Sequence, residues 1–305
     1  MATTSQNASA KPLTIGNDEK AVKSRNYWAR AGASFIRNRF AILGSIVLIL
    51  LILMAVFADV IAPYDPLETD FMATMLPLNT DGHLLGTDDL GRDTLSRLIY
   101  GSRISLAVGL VVVGIAGTVG VSLGAIAGYY GGIIDNIIMR LVDVLYAFPF
   151  LILAIAIVGI LGPSLTNIMI VLGAIAWIDY ARVVRGLVLS IKEQDYVLAA
   201  RAQGASGFYL IYRHILPNSL NIIIVQATFG VASAILAASA LSFLGIGAQP
   251  PTPEWGAMLN AAQRFIRTEP LLSIAPGVAI MITVLSINLL GDALRDALDP
   301  RSIDP

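Results

Sequence analysis

Six apolar stretches, at residues 41–62, 106–129, 137–161, 168–188, 222–244 and 271–290, leave this chain few possible folds. Each is long enough to cross a hydrocarbon core of about 30 Å as a helix, which takes about 20 residues. No water reaches the bilayer core to satisfy backbone N–H and C=O groups, so continuous apolar runs of this length read as helices. The expected fold is an all-α membrane protein with six transmembrane helices. Composition excludes the soluble alternative: hydrophobic residues make up 56% of the chain and charged residues 13%, against about 25% charged in soluble domains. With no cysteine, disulfides, thiolate metal sites and thiol nucleophiles are excluded. His83 and His214 stand 131 positions apart, so the sequence offers no metal-ligand spacing. A net charge of −1 carries no nucleic-acid signature.

Charge along the chain sets the expected orientation. With the N-terminus inside, fifteen of the 20 lysines and arginines fall on inner segments and five on outer ones. The positive-inside rule therefore places both termini and the 193–218 loop in the cytoplasm. Residues 1–26 read as a disordered cytoplasmic tail, with no apolar h-region of a cleavable signal. Residues 27–62 read as an interfacial helix followed by the first span. Tyr27, Trp28, Phe35, Ile36 and Phe40 would face the headgroups, and Arg30, Arg37 and Arg39 the anionic surface; a structureless juxtamembrane linker is the alternative. Residues 63–100 form an extracytoplasmic loop, and residues 293–305 a cytoplasmic tail beginning in a proline-terminated helix.

The longest polar interruption on the inner side is EQDYVLAARAQGASGFYLIYRHILPN, residues 193–218. Asp195 suits an N-cap for a helix over 196–203, with Tyr196, Ala199, Ala200 and Gln203 on one face and Arg201 near its end. Gly204 stops that helix as a C′ glycine, since only glycine enters the left-handed region without penalty. A second helix over 208–215 is expected to end before Pro217. A helix of this length is not stable alone in water, so its small-residue face is expected to dock on a partner.

These residues resemble the EAA loop of ABC-importer permease subunits, whose pattern is Glu-Ala-Ala, three residues, Gly, nine residues, Ile-x-Leu-Pro. Ala199, Ala200, Gly204, Leu216 and Pro217 match in register; Leu198 stands where Glu is usual and His214 where Ile is usual. The run from His83 to Asp93, continuing through Ser96–Gly101, resembles the dipeptide/oligopeptide permease subunits, as do the 249–256 segment and the 291–301 segment. The resemblance spans roughly residues 27–301. It implies a type I ABC importer permease fold, with a permease core at 101–292. It also implies an ATPase-coupling role for Tyr196, Ala199, Ala200, Arg201, Gln203, Gly204, Ala205, His214, Leu216 and Pro217. The partners it implies are a homologous permease in a heterodimer, two P-loop ATPases that bind ATP and Mg, and an extracytoplasmic peptide-binding protein. The implied location is the bacterial cytoplasmic (inner) membrane.

Residues within the spans suggest further contacts. Gly120, Gly124 and Gly128 fall every four residues on one helix face and invite close helix packing. Ionisable groups inside spans face protein or water; Asp135, Arg140, Asp143 and Asp179 are a candidate pathway or structural cluster, with Arg140–Asp143 and Asp179–Arg182 pairs expected from spacing. Arg182 and Arg185 are expected to snorkel to headgroups. Pro149 should kink the third span, and Trp255 suits an interfacial anchor. Asp89, Arg92, Asp93 and Arg97 suggest a charge-paired helix before the second span. The Gly120-x-Ser122-x-Gly124 match to a nucleophile elbow lies mid-helix without a triad base, which argues against an enzyme.

No Gly-x-x-x-x-Gly-Lys-Ser/Thr occurs, so the chain itself is expected to bind no nucleotide. The expected function is a permease subunit moving dipeptides or short peptides, driven by a separate ATPase. The alternatives are a permease for another small solute, such as a nickel complex, and an ion-coupled secondary transporter using Asp143 or Asp179.

Overall fold

The computed structural model describes residue 32 and residues 35–298. The tail at 1–26 and Tyr27, Trp28 and Arg30 lie outside the described residues, as do 299–305. The regular structure among the described residues is helical, joined by loops, with isolated β-bridges confined to the 80–93 loop. We name the helices α1 (Arg39–Val56), α2 (Ala58–Ile61), α3 (Thr94–Tyr130), α4 (Gly132–Tyr146), α5 (Phe150–Leu161), α6 (Leu165–Ile191), α7 (Asp195–Ala202), α8 (Gly207–Leu210), α9 (Leu216–Phe243), α10 (Trp255–Ala262) and α11 (Leu271–Leu298). Ala293–Leu298 continues α11, with Ala293, Ala297 and Leu298 buried.

Among the described residues, five helical segments are long and apolar enough to cross a membrane, and a sixth arises if α4 and α5 act as one broken span. The 137–161 stretch is therefore not the continuous helix its hydropathy suggests. Pro149 does more than kink it: α4 and α5 meet at 89°. Pro149 lacks an N–H and disfavours the α region for Phe148, so the chain turns out of the helix at 147–149. Twelve-residue α5 is about 18 Å long, too short to span alone.

Cap chemistry fixes the ends. Asn38 caps α1 by accepting from the N–H of Phe40 at 3.0 Å and Ala41 at 3.3 Å. Asp93 caps α3 through the N–H of Ser96 at 2.7 Å, and Ser164 caps α6 through that of Asn167 at 3.1 Å. At the C-terminal end of α1, Arg103 of α3 donates to the Ala55 carbonyl at 2.9 Å and pairs with Asp59 at 3.1 Å.

The core lies between α3 and α6, the most extensive helix pairing among the described residues. The glycine stripe makes it possible. A Cβ on Gly124 would lie 2.5 Å from the Ala181 carbonyl oxygen, and one on Gly128 2.8 Å from the Val188 Cβ. Gly120 has the Trp177 carbonyl against it in the same way. Buried Val108, Val112, Ile168, Leu172, Ile178 and Ala181 fill the seam. On the opposite side, many side chains of α1 point outward and are apolar, such as Ile46, Leu50 and Leu53. This is the pattern of a lipid-facing helix, where the solvent is as apolar as the side chains.

The charged run before the second span folds differently from a paired helix. Only Arg97 is on α3; Asp88, Arg92 and Asp93 precede it, and all four are buried or partly buried. Asp88 accepts from Arg92 Nε at 2.7 Å and lies 3.5 Å from Arg97 Nε, while Asp93 caps the helix and bonds His83 Nδ1 at 2.8 Å. Asp89 forms no ion pair among the described residues. Asp93 cannot be both cap and helical pairing residue, and the cap satisfies an otherwise orphaned N–H. Arg97 Nη1 donates to the carbonyls of Pro66 at 3.0 Å and Pro251 at 3.4 Å, tying two distant loops together. Trp255 is likewise no interfacial anchor: it is fully buried at the start of α10, its Nε1 donating to the Leu98 carbonyl at 3.0 Å.

Candidate functional site

The 193–218 segment folds as two short helical pieces around a tight turn. α7 begins one residue earlier than its sequence suggests: Gln194 is the N-cap residue, without a side-chain cap bond, and Asp195 is the first helical residue. A carboxylate there still complements the helix dipole. The other end is a complete Schellman cap. Gly204 sits at φ +87°; its N–H donates to the Arg201 carbonyl at 3.0 Å, and the Ala205 N–H to the Ala200 carbonyl at 3.1 Å. Ser206 then caps α8 by accepting from the Tyr209 N–H at 3.4 Å.

The second helix does not stop before Pro217. Residues 207–243 form one continuous 37-residue helix, in which Ile211–Ile215 is a π-helical turn. Proline can donate no N–H and its ring crowds the carbonyl four residues back. The wider π turn immediately before it re-routes the hydrogen bonds, and Pro217 enters at the first turn of α9, where the donor is not needed.

Ala200, Gln203, Gly204, Ala205 and His214 come together with Ser206 and Tyr209 around an open concavity of about 560 Å³. Tyr196 lies beside it, its ring 6.4 Å from that of His214; Tyr209 approaches the same imidazole edge-on at 5.6 Å. Ala199 is exposed beside them. Arg201 points back, with its guanidinium 5.5 Å from the Tyr129 ring of α3, and Lys192 donates to the Gly128 carbonyl at 2.9 Å. Leu216 and Pro217 belong to the long helix and lie outside the concavity. Val197, fully buried, holds α7 to the bundle. Tyr209 and Ser206 were not among the sequence candidates; the serine three residues before Tyr209 is the signal that marks them, as a helix N-cap.

The polar cluster forms between helices, not within them. Asp135 of α4 accepts both Nε (2.5 Å) and Nη2 (2.7 Å) of Arg185 on α6. Asp143 lies 3.5 Å from Arg182 Nη2, and Asp179 accepts from the Tyr146 hydroxyl at 3.0 Å. The expected Arg140–Asp143 and Asp179–Arg182 pairs are absent among the described residues, and Arg182 and Arg185 each pair with a carboxylate of α4. Arg182 also lies over the Tyr146 ring at 4.2 Å. Packing of α4 on α6 offers each arginine a carboxylate nearer than its own helix does. The bidentate Asp135–Arg185 pair should show coupling of about 1 kcal/mol in a double-mutant cycle of Asp135→Ala and Arg185→Ala, measured by thermal unfolding in detergent.

Comparison with known proteins follows this geometry. Residues 120–304 match the family described as the binding-protein-dependent transport system inner membrane component. Residues 26–78 match the N-terminal TM domain of oligopeptide transport permease C. The chain is 47% identical to the dipeptide transport system permease protein DppC of Alkalihalophilus pseudofirmus, over 96% of this chain and 97% of that one. It is 44% identical to the glutathione transport system permease protein GsiD of Pectobacterium atrosepticum, over 93% of each. A solved structure of the MetNI methionine ABC transporter aligns with a TM-score of 0.55 at 20% identity, covering 67% of this chain and 97% of that chain; this similarity is one of fold.

Proposed function

Since the chain belongs to the binding-protein-dependent transport system inner membrane component family, we propose that it is the permease subunit of an ATP-driven importer of dipeptides or short peptides. The observation that carries this reading is near-full-length similarity to dipeptide and glutathione permeases, together with the capped coupling loop. The chain is a transport component, and the ATP and Mg it depends on are bound by separate ATPases.

The 193–218 loop lies in the cytoplasm, with both termini. The concavity around Gly204 and Ala200 receives an ATPase surface, and two such ATPases serve this chain and a homologous permease in a heterodimer of the bacterial inner membrane. Closure of the ATPases moves α7; α8 and the π turn transmit that movement into α9. Coupling of this kind is differential binding between two global states, not catalysis within the chain. An extracytoplasmic binding protein delivers the peptide.

The test is purification of the tagged chain from native membranes in mild detergent, with partners identified by mass spectrometry. A second permease and P-loop ATPases should co-purify. A chain that purifies only as a monomer or homo-oligomer would refute the assignment.

A further inference from the structure

Midway along the bundle, α3, α5, α6 and α9 line a partly open cavity of about 250 Å³. Its walls are mostly apolar, with Phe150, Phe229 and Tyr180 the largest side chains; Asp179, Gln226, Ser233 and the Tyr180 hydroxyl supply the polar groups. Gly230 keeps it open on the α9 side, where a Cβ would meet the Tyr180 hydroxyl at 2.5 Å. Asp179 is the only carboxylate among the residues that line it. Its hydrogen-bond partner is a phenol, Tyr146, and no cation lies within salt-bridge distance of it among the described residues. The nearest arginine along its own helix, Arg182, is committed to Asp143 and to the Tyr146 ring. Asp179 is exposed on the open side of this cavity, where an ionisable group within a span faces water or a cation.

We propose that this cavity is a peptide subsite, in which Asp179 receives the primary ammonium of the transported peptide. The inference rests on the reading of the chain as a peptide permease. Gln226 is placed to bond the amide next to that ammonium, and Phe150 and Phe229 to cover an apolar first side chain. The volume lies just below the range of about 300–1,000 Å³ that encloses whole small ligands. The cavity therefore holds one end of a peptide and leaves the rest in the pathway. An acidic group among apolar walls selects for an amino terminus while tolerating different side chains, as a carrier of varied peptides requires.

The chain contains no cysteine, so Ser233→Cys places a single reporter thiol in it. In the full assembly reconstituted in proteoliposomes, N-ethylmaleimide labelling of this chain is followed by mass spectrometry. The dipeptide Ala-Phe should slow labelling about tenfold, as expected when a ligand stands near ten times its dissociation constant. N-acetyl-Ala-Phe should not slow it. Adding Asp179→Asn should abolish the protection, and Asp179→Glu should restore part of it. Ala176→Cys, on the α6 wall, provides a second reporter read in the same way. Equal protection by the acetylated peptide, undiminished protection in Asp179→Asn, or no protection at either reporter would overturn the subsite. Absence of ATP-driven Ala-Phe uptake by the wild-type assembly would instead sink the permease reading itself.

Discussion

Gly204→Asp leaves the chain inserted and folded, but lowers ATP-driven uptake by about 30-fold or more, the effect of losing a hot spot worth ~2 kcal/mol. Within the chain the change is mild. Gly204 has φ +87°, but a Cβ there meets nothing within 4 Å, and aspartate is among the residues that visit the left-handed region at a cost of about 1–2 kcal/mol. The Schellman bonds are made by backbone atoms and survive. The damage falls on whatever fills the concavity, where a new carboxylate would be buried against the docked ATPase without a partner. Gly204→Ala, with the same backbone strain but no charge, is the control and should retain most of the transport. The variants are compared by initial uptake rate and by ATP hydrolysis in the same vesicles. Gly204→Asp should hydrolyse ATP without stimulation by the loaded binding protein. Uptake at the wild-type rate would remove the loop from the coupling mechanism.

Gly124→Val has the largest expected effect on folding. Its Cβ would sit 2.5 Å from the carbonyl oxygen and 2.9 Å from the Cα of Ala181. Both are backbone atoms in the middle of α6, so no rotamer change relieves the clash. α3 and α6 would have to separate along the seam that buries Val112, Leu172 and Ile178. Overpacking of this kind costs about 1–3 kcal/mol where a core can adjust and more where backbone must move. Against a total stability of about 5–15 kcal/mol, the yield of folded chain should collapse. Gly114→Val is the control on the same helix, because a Cβ at Gly114 meets nothing within 4 Å. Monodisperse recovery from detergent and the thermal midpoint should be close to wild type for Gly114→Val and severely reduced for Gly124→Val. Equal stability of the two would show that the α3–α6 contact is looser than described.

What the sequence reveals here follows from which signals are local. A four-residue glycine repeat and a glycine after a short helix act within one helix or turn, and each is found where its pattern lies, as are five of the six apolar runs. What was hidden depends on neighbours distant in the chain. Trp255 has the amphipathic look of an interfacial residue, but Gly101 of α3 leaves room for its indole, with a hypothetical Cβ only 2.5 Å from the ring. Spacing along α4 suggested that Arg140 and Asp143 pair; only the packing of α4 on α6 shows that Asp143 meets Arg182 and Asp135 meets Arg185. Pro217 reads as a helix stop because nothing in the sequence announces a π turn able to absorb it. The 89° break between α4 and α5 was visible only as a proline, whose effect ranges from a mild kink to complete interruption.

The central claim is that this chain moves peptides under the control of a separate ATPase. The most direct measurement is uptake of a radiolabelled dipeptide into proteoliposomes holding the purified assembly, with ATP supplied or withheld and with or without a protonophore. Uptake that requires ATP hydrolysis, ignores the protonophore and is lost in Gly204→Asp is the predicted result. Uptake that persists without ATP and collapses with the protonophore would contradict the account and identify an ion-coupled transporter instead.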